Sequence, residues 1–129
     1  MAANKDLEII FHKDGVHPIG PYSQCIKAGG FVFLAGQVPC DPQAKVVPGT
    51  MTDKAHRMCQ NAKLILEAAG TSLEKVVKVN IYFEDIDRDF DAVNKVFGEY
   101  FVSKPARTSV QVAKLPVGCP LEMDVTALA

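Results

Sequence analysis

The sequence predicts an α+β fold, a sheet layered against two helices, and three observations carry that prediction. Two segments repeat apolar residues at the helical period, and several shorter segments alternate apolar and polar residues as strands do. Their order is strand-strand-strand-helix-strand-helix-strand-strand. A length of 129 residues fits one domain, here residues 1–129, and 48% hydrophobic with 22% charged residues excludes a disordered chain.

Leu7–Phe11 alternates weakly as a strand, and Gly15 to Pro21 is a loop by its glycine and proline content. Ser23–Ala28 and Phe31–Gly36 flank Gly29-Gly30, a two-residue hairpin signal. Phe31–Ala35 is apolar on both faces and reads as a central strand covered on both sides. Residues 38–50, with three prolines, read as an irregular excursion.

The first helix has Thr52 or Asp53 as its cap. Its buried stripe is Ala55, Met58, Cys59, Ala62, Ile65, Leu66 and Ala69, and Gly70 is its left-handed stop. Val77, Val79, Ile81 and Phe83 alternate with polar residues as a strand with one buried face. Asp87 caps a second helix with the stripe Phe90, Val93, Phe97 and Phe101, on which Asn94 also falls. Arg107–Ala113 and Leu121–Ala127 are the last two strands, their mutual pairing left open by the sequence. Two helices cover about one face of such a sheet, so the second apolar face of Phe31–Ala35 points to coverage by another copy of the chain.

The formal net charge of −1 supplies no field for nucleic acid or an anionic membrane. No apolar run approaches the ~20 residues of a membrane span, and the opening segment has neither a signal peptide's apolar stretch nor a presequence's arginines. Cys25, Cys40, Cys59 and Cys119 form no CxxC pair, so the thiols are expected reduced and the chain cytoplasmic. With His12, His17 and His56 they make no metal-ligand spacing, and no metal is expected. Cys25 and Cys59 read as small core residues, while Cys119, in a Gly-Cys-Pro loop, reads as exposed and oxidisable. The aspartates at 85, 87, 89 and 91 suit a helix start rather than a calcium loop, and Ser23 lacks a nucleophile-elbow context.

The last two strands carry the candidate chemistry. The period of two puts Thr108, Val110 and Val112 on one face and Arg107, Ser109 and Gln111 on the other. In the final strand Leu121, Met123 and Val125 oppose Glu122, Asp124 and Thr126. If both apolar sets join one core, Arg107 and Glu122 share a side of the sheet. There an arginine can grip a carboxylate with two parallel hydrogen bonds and a carboxylate can take a proton from water. On pattern alone, an exposed salt bridge of ~0–1 kcal/mol accounts for the same two residues.

Four segments carry a resemblance that weighs against that simpler account. They are Gly20-Pro21-Tyr22-Ser23, the run Phe33-Leu34-Ala35-Gly36-Gln37-Val38-Pro39, the strand Val76–Phe83 beginning VVKVN, and Pro105-Ala106-Arg107 followed by Leu121-Glu122-Met123. From about Leu7 to Ala127 the chain resembles the reactive-intermediate deaminase family, also called RidA or YjgF-like. The resemblance implies a chorismate-mutase-like single domain with a mixed sheet, and a homotrimer with clefts between subunits. It also implies hydrolysis of 2-imino and enamine acids, such as 2-aminoacrylate and 2-iminobutanoate, to 2-oxo acids and ammonia without a cofactor. Arg107 and Glu122 are then the catalytic pair, with Tyr22, Gly36, Asn94 and Ser109 as substrate-binding residues. Ser109 stands where many members have cysteine, Ala35 where serine is common and Thr108 where serine or alanine is usual, which bears on substrate preference.

Two other function classes compete. A non-catalytic binding module for small carboxylates, regulating a partner, would keep Arg107 and tolerate loss of Glu122. An endoribonuclease-type translation inhibitor would need a basic groove and stacking aromatics; the chain has no Lys/Arg cluster and no Trp.

Overall fold

The computed structural model describes residues 6–129; readings of the opening segment that fall on residues 1–5 lie outside the described residues. Six strands and two long helices form in the expected order: β1 (Leu7–Ile10), β2 (Cys25–Ala28), β3 (Phe31–Gln37), α1 (Met51–Ala68), β4 (Val76–Phe83), α2 (Ile86–Tyr100), β5 (Ala106–Gln111) and β6 (Leu121–Leu128). Short 3-10 turns lie at Leu73–Lys75 and Pro116–Gly118. The β2–β3 hairpin closes on Gly29 and Gly30 at φ 59° and 82°, the positive pair that this turn requires.

Both helix starts differ from expectation. Thr50 caps α1: its hydroxyl accepts from the Asp53 amide at 3.2 Å, while the Asp53 carboxylate accepts from the Thr50 amide at 2.9 Å. Only Thr50 sits three residues before a carboxylate that can reach back, and that reciprocity places the cap there rather than at Thr52 or Asp53. Asp85 caps α2 by accepting from the Arg88 amide at 3.1 Å, in place of Asp87. Gly70, at φ 82°, follows the end of α1 as the left-handed stop.

The sheet order is β1-β2-β3-β6-β4-β5, antiparallel throughout except for β4 and β5, which run parallel across the α2 crossover. The last two strands therefore do not pair; β4 lies between them. Both helices pack on one face, where Val32 and Leu34 of β3, Val79 and Ile81 of β4, and Met123 and Val125 of β6 meet the stripe of α1. A one-residue bulge displaces Val77, which is 38% exposed and not part of the buried set.

Among the described residues no layer covers the opposite face. Phe31 and Phe33 are 39% and 45% exposed there, near Ile9 and Leu128, so β3 is covered on one side only within a single chain. No helix among the described residues is long and apolar enough to cross a membrane.

The α1 capping box gives a direct check. Thr50→Ala should remove one reciprocal bond and lower unfolding free energy by about 1 kcal/mol. Urea unfolding should show a lower midpoint with an unchanged slope.

Candidate active site

A cleft of about 370 Å³ opens where β3 ends, between the loop before β2 and the turn before β6. Tyr22, Gly36, Gln37 and Glu122 line it, with an apolar wall that includes Val16, Ile19, Ala35, Val38 and Val117. Glu122 projects from the uncovered face of β6 beside Gly36. A Cβ at Gly36 would lie 2.7 Å from the Glu122 carboxyl carbon, so glycine is what allows the carboxylate to lie against the backbone.

Buried amides hold the walls. Gln24 donates to the carbonyls of Val16 and His12 at 3.0 and 3.2 Å and accepts from the His12 amide at 2.8 Å. These bonds fix the loop that carries Tyr22, whose hydroxyl accepts from the Ile19 amide at 3.2 Å. On the other side, Asn61 of α1 donates to the carbonyls of Val38 and Cys40 at 2.9 and 3.0 Å. Sequence reasoning missed Gln24, Gln37 and Asn61 as site residues; the one available signal was the Gly36-Gln37 pair within a quoted motif.

Electrostatics distinguish the carboxylates. Burial, assisted by the neighbouring Asp124 charge, holds Glu122 above the ordinary carboxylate range. Asp124 itself accepts from Asn80 at 2.9 Å and from the Tyr82 hydroxyl at 2.7 Å, which raises the Tyr82 pKa. Asp124 is thus occupied structurally, while Glu122 makes no hydrogen bond to the protein among the described residues.

The remaining predicted site residues lie elsewhere. Arg107 pairs in register with Val79, and Ser109 with Ile81, so both share the helix-bearing face of the sheet. Glu122 pairs with Tyr82 on the other face. The expectation that Arg107 and Glu122 share a side within one chain is therefore overturned. Its premise, that Val110 faces the core, fails because parallel pairing with β4 turns Thr108 and Val110 to the uncovered face; both are exposed.

Arg107 reaches the helix layer at the sheet edge, its guanidinium 4.8 Å from the Phe97 ring centroid and 5.7 Å from that of Phe90. Burial lowers its pKa without endangering its charge. No carboxylate pairs with it among the described residues. Asn94, in line with Phe90 and Phe97 on α2, is exposed and does not line the cleft, contrary to its placement on a buried stripe.

The chain thus holds two partial sites, one with Tyr22, Gly36 and Glu122 and one with Arg107 and Ser109. Two buried side-chain atoms among the described residues have no hydrogen-bond partner, Gln37 Oε1 and Ser109 Oγ, and one falls in each partial site. A buried polar atom left unpaired costs about 1–3 kcal/mol, so each marks a place where a ligand or another chain can supply a partner.

Cys119 is also corrected: it is fully buried, its sulfur 3.4 Å from that of Cys40, and its thiol is pushed up to about 12, chiefly by burial. The turn at Gly118, φ 72°, folds it inward against Val38 beside the cleft. Cys25 and Cys59 are core residues as expected. No group of three or more potential metal-ligating side chains forms among the described residues.

Comparison with known proteins places these features in company. The family model described as endoribonuclease L-PSP matches residues 12–129. A RutC family protein of Pyrococcus horikoshii is 48% identical over 122 residues, covering 93% of this chain and 96% of that protein. The protein named Mmf1, mitochondrial, of Saccharomyces cerevisiae is 43% identical over 108 residues, 83% of this chain and 74% of that protein. Among solved structures, RidA from an Antarctic Psychrobacter superposes with a TM-score of 0.88 at 35% identity, covering 95% and 99% of the two chains. Escherichia coli TdcF with bound serine superposes with a TM-score of 0.86 at 35% identity, covering 95% and 98%.

The carboxylate's environment can be measured. Carboxyl carbon NMR titration should give Glu122 a pKa above that of an ordinary glutamate. Asp124→Asn should lower it by removing the like charge, yet leave it raised, because burial is the larger cause.

Proposed function

The chain belongs to the endoribonuclease L-PSP family, within which its motifs resemble the RidA or YjgF-like members, and we propose that it is a hydrolytic deaminase of 2-imino acids with active sites formed between copies. One observation carries the reading: a free carboxylate in an apolar cleft and an unpaired arginine over aromatic rings lie on opposite faces of one sheet. Neither half is a site alone. Brought together across an interface, they provide a carboxylate clamp and a general base.

The uncovered face supports such assembly. Phe31, Phe33, Ile9 and Leu128 form an exposed apolar surface of the kind that marks an interface, and the family resemblance supports an assembly of three copies. In the trimer, Arg107 of one copy grips the substrate carboxylate through its planar fork. Glu122 of the neighbouring copy orients a water beside the C=N carbon, with Gly36 leaving room for the approach. Tyr22 closes the apolar side, Ser109 Oγ offers a bond to the substrate carboxylate, and Asn94 borders the arginine.

Glu122 removes a proton from the water as its oxygen bonds to carbon, and the proton passes to the nitrogen, giving a carbinolamine. The carbinolamine hydroxyl then returns its proton through Glu122 to the nitrogen, the C–N bond breaks, and a 2-oxo acid and ammonia leave. Orientation and general base help suffice, since imines already hydrolyse in water. The apolar wall suits substrates with short hydrocarbon side chains, such as 2-iminobutanoate. A cytoplasmic setting belongs to the same proposal, supported by four free cysteines.

The serine carried by the related TdcF structure supports a small amino- or keto-acid ligand here. A carboxylate-binding regulator would use the same Arg107 without needing the enclosed Glu122, which favours catalysis. Within one copy the cleft is lined by neither Lys nor Arg and contains a carboxylate, and the assembled site adds one arginine rather than a basic groove, an arrangement unsuited to a phosphate backbone, so an RNA-cleaving role is not favoured.

Two experiments test the reading on 2-iminobutanoate generated by an amino-acid oxidase, with the remaining imine trapped. Glu122→Gln should lower turnover by about 10²- to 10⁴-fold while 2-oxobutanoate still binds, and Arg107→Lys should lose binding of that acid. Mixing Arg107→Ala with Glu122→Gln chains during refolding should restore about one quarter of wild-type activity, the share of interfaces pairing two intact groups. No recovery would mean that the site is not shared between copies.

A further inference from the structure

We propose that Val117 selects the substrate's side chain, favouring unbranched aliphatic groups long enough to reach it. Val117 lies in the turn before β6, where the Cys119 amide donates to the Pro116 carbonyl at 3.1 Å. Both central residues of that turn have left-handed backbone, Val117 at φ 52° and ψ 26°, Gly118 at φ 72°. Such a turn suits glycine, asparagine or aspartate, and a β-branched residue at its first central position is strained. Among the described residues three non-glycine residues have positive φ, Ala44, Lys104 and Val117, and two of them, Ala44 and Val117, line the cleft. Backbone strain that persists at a ligand-sized cleft points to function there.

Neither the turn nor the core requires a valine at this position. Leu115 and Cys119, on either side, pack with Val38 and Cys40, whereas Val117 is 47% exposed and belongs to neither buried cluster. Glycine would meet the turn geometry without strain and would remove no buried contact. What valine adds is apolar surface in the cleft.

The assignment rests on the deaminase reading of the cleft and names what the third group on the reacting carbon meets. Arg107 of a neighbouring copy takes the carboxylate of a 2-imino acid and Glu122 brings the water, so the side chain must turn to uncharged surface. Val16 and Val38 are engaged with the Cys40 and Cys119 cluster, and Ala35 offers a single methyl. Ile19 and Val117 are then the branched aliphatic groups with free surface, one on the loop before β2 and one on the turn before β6. Ile19 has no positive φ, so nothing in its backbone needs a functional explanation. Val117 leads into the strand that carries Glu122, and buried Cys119 and Leu121 between them fix its place relative to the carboxylate.

The test measures binding of pyruvate, 2-oxobutanoate and 2-oxopentanoate by calorimetry on the assembled protein, and kcat/KM for the corresponding 2-imino acids. In wild-type protein both should improve about fourfold with each added methylene. In Val117→Gly and in Val117→Asn the gain per methylene should fall to about 1.5-fold or less. The melting midpoint of both variants should rise by about 3 °C as strain is relieved. Asparagine tolerates the left-handed backbone and keeps the volume of valine, so that variant isolates the loss of apolar surface. A gain per methylene unchanged by either variant, an equal loss for all three acids, or a lowered midpoint in both variants would overturn the assignment. Imines hydrolysed with such an unchanged gain would leave the deaminase reading standing without it. A gain in binding that depends on Val117, in a protein that leaves imine lifetimes unchanged, would uphold the side-chain selection and remove the deaminase reading.

Discussion

Successive side chains of a strand point to opposite faces of its sheet, and this alternation sets what a single copy of the chain can do. Once β6 buries Leu121, Met123 and Val125 under the helices, Glu122 must emerge on the bare face. Once β5 runs parallel to β4 with Arg107 opposite Val79, the guanidinium must emerge on the helix side. Cation and anion are separated by the thickness of the sheet, and no rotamer change reunites them. The uncovered aromatic surface follows from the same arithmetic, because two helices on one side leave Phe31 and Phe33 exposed on the other.

Within that frame the cleft depends on close backbone approach and on amides that take no part in chemistry. Gly36 lets a carboxylate rest against β3, and burial there raises the proton affinity of Glu122, which would suit the general base of the proposed reaction. Gln24 and Asn61 anchor the two walls by satisfying backbone carbonyls that would otherwise be stranded. Asp124, one step along the same face as Glu122, shows the contrast: with Asn80 and Tyr82 bonded to it, it is spent on structure.

Arg107 is held differently. Stacking above Phe97, itself stacked on Phe101 at 4.2 Å, orders the guanidinium without neutralising it. A carboxylate partner within the chain would have fixed its position equally well but would have competed with the anionic substrate proposed for it. Aromatic support leaves the donor edges free for one. The two cysteines beside the cleft contribute packing instead of reactivity, since burial keeps both thiols protonated.

Much of this molecule was legible in its residues. The stripe from Ala55 to Leu66, the Gly29-Gly30 turn, the alternation Leu121–Val125 and the stop at Gly70 each follow from local periodicity or backbone freedom, and they determined the elements and their order. The motifs containing Gly36, Arg107 and Glu122 likewise marked the family. Helix caps moved by two residues or more because a cap is fixed by a reciprocal bond that several nearby Thr and Asp residues could offer. What the tertiary structure alone decided was the facing of β5, and with it the division of the site. Thr108, Val110 and Val112 read as a buried set by hydrophobicity, but a strand's faces are assigned by its neighbour and register, and β5 takes both from β4, a partner about thirty residues away in sequence. The same holds for Gln24, Gln37 and Asn61, polar residues whose burial no local pattern announces because the groups they serve arrive from distant parts of the chain.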